Sequence, residues 1–114
     1  MNVAANVEGK HILITGGGSG IGAASARVLS ARGATVGIAD LNKENAKTLA
    51  EEIVAAGGKA YAVAVDVTEP AQVKAMFDTA LSHNDKIDVI INNAGIDHFP
   101  APLTEVDDAM FMKN

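Results

Sequence analysis

Apolar residues come in short blocks along this chain, and the spacing inside the blocks alternates between a strand-like and a helix-like period. Lys10 to Thr15 contains the continuous run Ile12-Leu13-Ile14 and stops at glycine, the form of a strand buried on both faces. From Gly20 to Arg32 the period is helical. Ile21, Ala24, Ser25, Val28 and Leu29 share one face, and Gly33 ends the element. Ala34 to Ala39 reads as a second strand. Asn42 is placed to cap a second helix, with Ala46, Leu49, Ala50, Ile53 and Val54 on its apolar face and Gly57-Gly58 at its end. Lys59 to Val65 is a third strand. Thr68 is placed to cap a third helix, with Pro70 in its first turn and Val73, Met76, Phe77, Ala80 and Leu81 facing inward. Ile87 to Ile91 forms a nearly all-apolar fourth strand. The turn Asn92-Asn93-Ala94-Gly95 follows it, then a loop with Pro100 and Pro102. A further helix begins near Thr104, and the sequence ends inside it.

Strands that alternate with amphipathic helices pair in parallel, and right-handed crossovers place helices on both faces. The fold class is therefore α/β: a Rossmann-type doubly wound parallel sheet in the order 3-2-1-4, stopping after the fourth strand and the start of the next helix. Residues 1–114 read as one such domain. The order reverses between the first and fourth strands, which opens a crevice at their C-terminal ends. Two glycine-bearing turns meet there: the loop after the first strand and the Asn92–Gly95 turn after the fourth.

The first of these turns, Thr15-Gly16-Gly17-Gly18-Ser19-Gly20-Ile21-Gly22, suits phosphate. Backbone N–H groups at a helix start have no partner inside the helix, and the helix dipole adds partial positive charge. A pyrophosphate can be held there without lysine or arginine. Glycine lets the phosphates approach, and some of these positions require positive φ. Gly16, Gly20 and Gly22 give the spacing G-x-x-x-G-x-G. The commoner G-x-G-x-x-G would need glycine where Ile21 stands. In a chain with 11 glycines a chance loop is the competing reading, and the flanking strand and helix weigh against it.

Composition narrows the partners. The chain of 114 residues has a net charge of −5 and no basic block, which argues against nucleic acid and anionic membrane. Aromatic content of 4% offers no platform for stacking bases. There is no cysteine, so neither a disulfide framework nor a thiolate metal site is available, and a reducing, cytoplasmic setting is expected. Met1 to Gly9 lacks the basic and apolar regions of a signal peptide.

Four motifs in order now make the chain resemble the short-chain dehydrogenase/reductase family. They are Thr15-Gly16-x-x-x-Gly20-Ile21-Gly22, Asp40 after the second strand, Asp66-Val67 after the third, and Asn92-Asn93-Ala94-Gly95 after the fourth. The resemblance runs from Gly9 to about Phe111. It implies an NAD-dependent oxidoreductase that moves a hydride between the cofactor and a secondary alcohol or carbonyl, of which this chain is the N-terminal, cofactor-binding half. A small-molecule substrate and a homo-oligomeric assembly follow from the same likeness.

Asp40 falls 18 positions after Gly22, where a carboxylate can accept hydrogen bonds from both adenosine ribose hydroxyls and would repel a 2′-phosphate. NADP-preferring relatives usually carry a basic residue at positions that are Ser19 and Leu41 here, so NAD is expected over NADP. The plainer reading of Asp40 is a solvated loop residue. Asp66-Val67 resembles the family's adenine site, with the Asp side chain or adjacent backbone at the amino group and Val67 against the ring; a simple turn at the strand end is the alternative. Asn93-Ala94-Gly95 resembles the segment that lines the cofactor and also ties the central strands together.

The family's catalytic Ser and Tyr-x-x-x-Lys are not found. Tyr61 is the only tyrosine, Val65 stands four places on, and Tyr61 belongs to a strand, so no catalytic residue is assigned. Aligned on Phe111, the family's helix Asn falls a few positions beyond the last residue, and Asn114 takes no role. His11, His83 and His98 are far apart in the expected elements, without carboxylate partners, and no metal site is expected. His98 and Phe99 follow the Asn92–Gly95 turn, where bordering the substrate pocket is one reading and a plain loop the preferred one; Asp107 and Asp108 read as helix-start charge. Three functions stay open: the binding half of a dehydrogenase, inactive alone; a non-catalytic NAD-binding module or inactive truncated product, associating through the apolar edge Asp88–Asn92; and a methyltransferase-like domain, against which Ser19–Gly22 and the Asn92–Gly95 turn both argue.

Overall fold

The computed structural model describes residues 7–93. Seven elements alternate: β1 (His11–Thr15), α1 (Gly20–Ala31), β2 (Thr35–Asp40), α2 (Lys43–Ala55), β3 (Lys59–Ala64), α3 (Pro70–His83) and β4 (Val89–Asn92). The four strands form one parallel sheet, as the alternation predicts, in the usual doubly wound order β3-β2-β1-β4. The helix expected near Thr104 lies outside the described residues.

The sheet separates two cores. On one side Ile12, Ile14, Val36 and Ile38 pack against Ala23 and Ala26 of α1 and Ala46, Leu49 and Ile53 of α2. On the other, Leu13, Ala39 and Tyr61 meet Val73, Met76 and Ala80 of α3. Alternation along β1 sends Ile12 and Ile14 to one core and Leu13 to the other, and all three are fully buried. Burial of each such side chain contributes about 1.5–3 kcal/mol.

Several local expectations need correction. Val54 of α2 and Leu81 of α3, expected on the inward faces, are exposed. Helix α1 turns a different face to the sheet: Gly22, Ala23 and Ala26 are buried, whereas Ile21 is 77% and Val28 53% exposed. The helix is rotated by roughly one residue, about 100°, because close approach to the glycine loop selects the smallest side chains. Thr68 does not cap α3. The N-cap is Glu69, which makes no side-chain cap bond, and the Thr68 hydroxyl instead donates to Asp66 Oδ1 at 2.6 Å. Strand β4 starts at Val89 rather than Ile87; Ile87 is buried just before it. The cap expected at Asn42 is present, its side chain accepting the Asn45 N–H at 3.0 Å.

Register positions the site. Thr15 pairs with Ala39 on one side and with Asn92 on the other. Gly16 and Asn93 therefore leave the sheet beside Asp40, the last residue of β2, which still pairs with Ala64 of β3.

Candidate functional site: a dinucleotide crevice at the strand ends

The loop that leaves β1 is shaped by backbone requirements. Gly16 and Gly20 adopt φ of 66° and 57°, values at which a side chain is strained. Gly22 begins the buried face of α1, and a Cβ there would be driven into the Gly16 carbonyl oxygen. Ser19 is the N-cap of α1, in extended geometry and without a side-chain cap bond. The N–H groups of Gly20, Ile21 and Gly22 open the helix and lie too early to bond within it. Two other loop donors are already used: Gly17 N–H bonds the Ala39 carbonyl at 3.2 Å, and Gly18 N–H bonds Asp40 Oδ2 at 2.8 Å. The anion-binding capacity therefore belongs to the start of α1 rather than to the whole loop.

The turn after β4 is locked to this loop. Asn93 N–H is shared between the Thr15 carbonyl at 3.1 Å and the Thr15 hydroxyl at 3.2 Å. The hydroxyl in turn donates to Asn92 Oδ1 at 2.9 Å. Asn93 Nδ2 donates to the Gly16 carbonyl at 3.3 Å. The glycine loop, Asn92 at the end of β4 and Asn93 just after it thus meet at the strand ends. Ala94 and Gly95, assigned to the same segment, lie outside the described residues.

A cleft of about 260 Å³ opens beside the loop, lined by Gly16, Asp40, Leu41, Val65, Asp66, Val67 and Thr68. Five of these were singled out in the sequence. Leu41 is 74% exposed at the rim, and Val67 is buried in the core shared with α3. Asp40 accepts from Gly18 N–H and from Asn42 N–H, both at 2.8 Å. Asp66 accepts the Thr68 hydroxyl and N–H on Oδ1, and these bonds hold its carboxyl below the usual range. Its own N–H is bonded by Gln72 Oε1 from the first turn of α3. The lining therefore holds two carboxylates and no cation.

That donor set fits an adenosine dinucleotide. Carboxylate oxygens at the rim match ribose hydroxyls and an exocyclic amine, Leu41 and Val67 offer apolar faces for a base, and the α1 N–H groups suit a pyrophosphate. A wider groove, about 330 Å³, lies between the C-terminal ends of α1 and α2. Its charged groups are Arg27 and Glu52, which pair with each other at 2.7 Å, so it offers no free chemistry.

Sequence reasoning missed Gln72 and Gly18 as partners of the two aspartates. The spacing Asp66-x-Thr68 was a readable sign of the turn. The histidines also need correction. His11 and His83 are far apart in sequence, yet both meet Tyr61. His11 Nε2 is 2.6 Å from the Tyr61 hydroxyl, and the His83 ring stacks on Tyr61 at 3.9 Å. Lys86 O, 2.9 Å from His11 Nδ1, can only accept, so Nδ1 carries the proton and Nε2 accepts from Tyr61. Tyr61 is buried in the sheet, as its strand position implies, and its phenol is pushed well up by burial.

Comparison with known proteins agrees with this geometry. The family model described as short chain dehydrogenase matches residues 10–114. The 7alpha-hydroxysteroid dehydrogenase of Escherichia coli K12 is 38% identical over 89 residues, 78% of this chain and 35% of that protein. Among solved structures, a hydroxysteroid dehydrogenase from Escherichia coli superposes with a TM-score of 0.77 at 37% identity, over 81% of this chain and 39% of that one. A 3-ketoacyl-(acyl-carrier-protein) reductase from Brucella melitensis, complexed with NADH, gives 0.70 at 42% identity, over 75% and 34%. The chain thus spans little more than a third of the proteins it resembles.

Proposed function

The chain belongs to the short-chain dehydrogenase family, and from that premise we propose that it forms the NAD-binding part of an oxidoreductase acting on a secondary alcohol or the matching carbonyl. The observation that carries the proposal is the cleft lined by Gly16, Asp40 and Asp66, beside the loop that leads into α1. Gly20, Ile21 and Gly22 hold the pyrophosphate through their N–H groups. Asp40 accepts the ribose hydroxyls of the adenosine half, and its charge, with Ser19 and Leu41 in place of basic residues, disfavours a 2′-phosphate. Leu41 and Val67 cover the faces of the adenine, while Asp66 accepts from its amino group. Asn93 keeps the two turns in register. The cofactor supplies a two-electron carrier that takes up or releases a hydride at a carbon bearing oxygen. The hydroxyl named for the Escherichia coli relative and the NADH bound to the Brucella reductase both support this reading.

None of the described residues in the crevice is a free acid or base placed to move the alcohol proton. Tyr61 is buried and donates to His11. The chain by itself is therefore proposed to bind NADH without turnover. The test is a fluorescence titration with NADH and NADPH, followed by an assay of NADH oxidation with a panel of ketones. Saturable NADH binding tighter than NADPH binding supports the proposal. Steady turnover by the purified chain overturns the assignment of catalysis to residues outside it. Binding of neither nucleotide overturns the site.

A further inference from the structure

Asp40 does not hang freely at the rim of the cleft. Its carboxylate is fixed by two backbone donors from different elements: Gly18 N–H on Oδ2 and Asn42 N–H on Oδ1, each at 2.8 Å. Asn42 is itself held, because its side chain caps α2 on Asn45 N–H. The space around Gly18 is closed. A Cβ at that position would lie 2.8 Å from Asp40 Oδ2 and 2.9 Å from the Cβ of Asn45. Gly18 thus gives its N–H to the carboxylate rather than to a phosphate, and it can do so in this arrangement only because it has no side chain.

A carboxylate has about four acceptor positions, and two are taken by these N–H groups. The other two are left for ligand hydroxyls in the cleft. We propose that Gly18 is a positioning residue that sets nucleotide specificity: it holds Asp40 in the orientation that accepts a ribose 2′-hydroxyl and rejects a 2′-phosphate. The inference rests on reading the cleft as an NAD site and adds to it the residue that fixes the margin of preference. Any side chain at position 18 displaces the carboxylate. A displaced Asp40 loses bonds to the hydroxyls, which weakens NADH. It also moves its charge away from the 2′ position, which spares NADPH. The two affinities should converge.

The experiment titrates NADH and NADPH into the wild-type chain, Gly18→Ala and Asp40→Ala. In Gly18→Ala, NADH binding is expected to weaken about tenfold and NADPH binding to change less than about threefold, as loss of an oriented charged hydrogen bond predicts. A purely structural role would weaken both nucleotides alike and keep their ratio; that result, with wild-type preference intact, overturns the inference alone. A wild-type chain that binds both equally, or neither, overturns the NAD reading and this inference with it. Amide exchange gives a second readout that does not require Gly18→Ala to fold. Protection of the Gly18 N–H in the wild type and its loss in Asp40→Ala support the clamp. Protection that survives in Asp40→Ala overturns it.

Discussion

The Thr15 hydroxyl accepts the backbone N–H of Asn93 at 3.2 Å, across 78 positions of sequence. One side chain therefore joins the strand before the glycine loop to the turn after β4. The same hydroxyl donates to Asn92 Oδ1, so it serves both asparagines. Thr15→Val keeps the shape and removes both bonds, leaving an Asn92 amide without a donor; Asn92 Nδ2 already lacks a partner among the described residues. A loss of about 1–3 kcal/mol is expected in urea unfolding. Thr15→Ser should restore most of it, and equal instability of the two variants would show that the methyl group, not the hydroxyl, matters.

Gly22 tests the close approach of α1. An added Cβ is driven into the Gly16 carbonyl and comes within 2.9 Å of Asn93 Nδ2. Gly22→Ala should cost about 1–3 kcal/mol as overpacking. The loop must yield where pyrophosphate is proposed to bind, so NADH affinity should drop more than about tenfold, or about 1.4 kcal/mol. Circular dichroism and a nucleotide titration measure the two effects separately. Unchanged affinity with lowered stability would detach the loop from nucleotide binding.

Tyr61 is the only tyrosine, so its ionisation is directly visible near 295 nm. Burial raises its phenol above the ordinary value. Such a shift favours the neutral form in the fold: its stabilisation is whole below the unfolded value near 10 and declines as pH rises past it. The native chain should show little phenolate at pH 10.5, and the urea-unfolded chain much more. Tyr61→Phe leaves His11 Nε2 without its donor, at an expected cost of about 1–3 kcal/mol.

Asp88 contributes to the acid side. Burial pushes its carboxyl up, but the His11 N–H at 2.8 Å and the neighbouring Lys86 and Lys10 together bring it below the usual value. A lowered folded value means that its stabilisation is present above the unfolded carboxylate range, near 4, and is lost as pH falls through the lower folded value. Thermal unfolding of Asp88→Asn should therefore depend less steeply on pH below 5 than the wild type. Parallel profiles for the two proteins would remove Asp88 from the acid transition.

Much of the architecture was legible because strand alternation, glycine stops and caps are local signals. Alternation and handedness imply a parallel sheet with helices on both faces, and the usual doubly wound arrangement supplies the order of the four strands. The inward face of α1 was misread because periodicity gives weight to large residues such as Ile21 and Val28. Contact at the glycine loop instead selected Gly22, Ala23 and Ala26. Thr68 was misread for a related reason. It bonds equally well to a helix start or to an aspartate two residues back, and only the path of the chain chooses between them.

The sequence by itself determined the fold class and the presence of a glycine loop, because these rest on spacing within each element. It also placed Asp40, Asp66 and Asn93 at strand ends. Tertiary structure alone decided which groups these residues bond: Gly18 for Asp40, Gln72 for Asp66, Thr15 and Gly16 for Asn93. It also brought His11 and His83 together on Tyr61. Such partners are many positions apart or lie on different elements, and parallel register sets their distance, which no local pattern encodes.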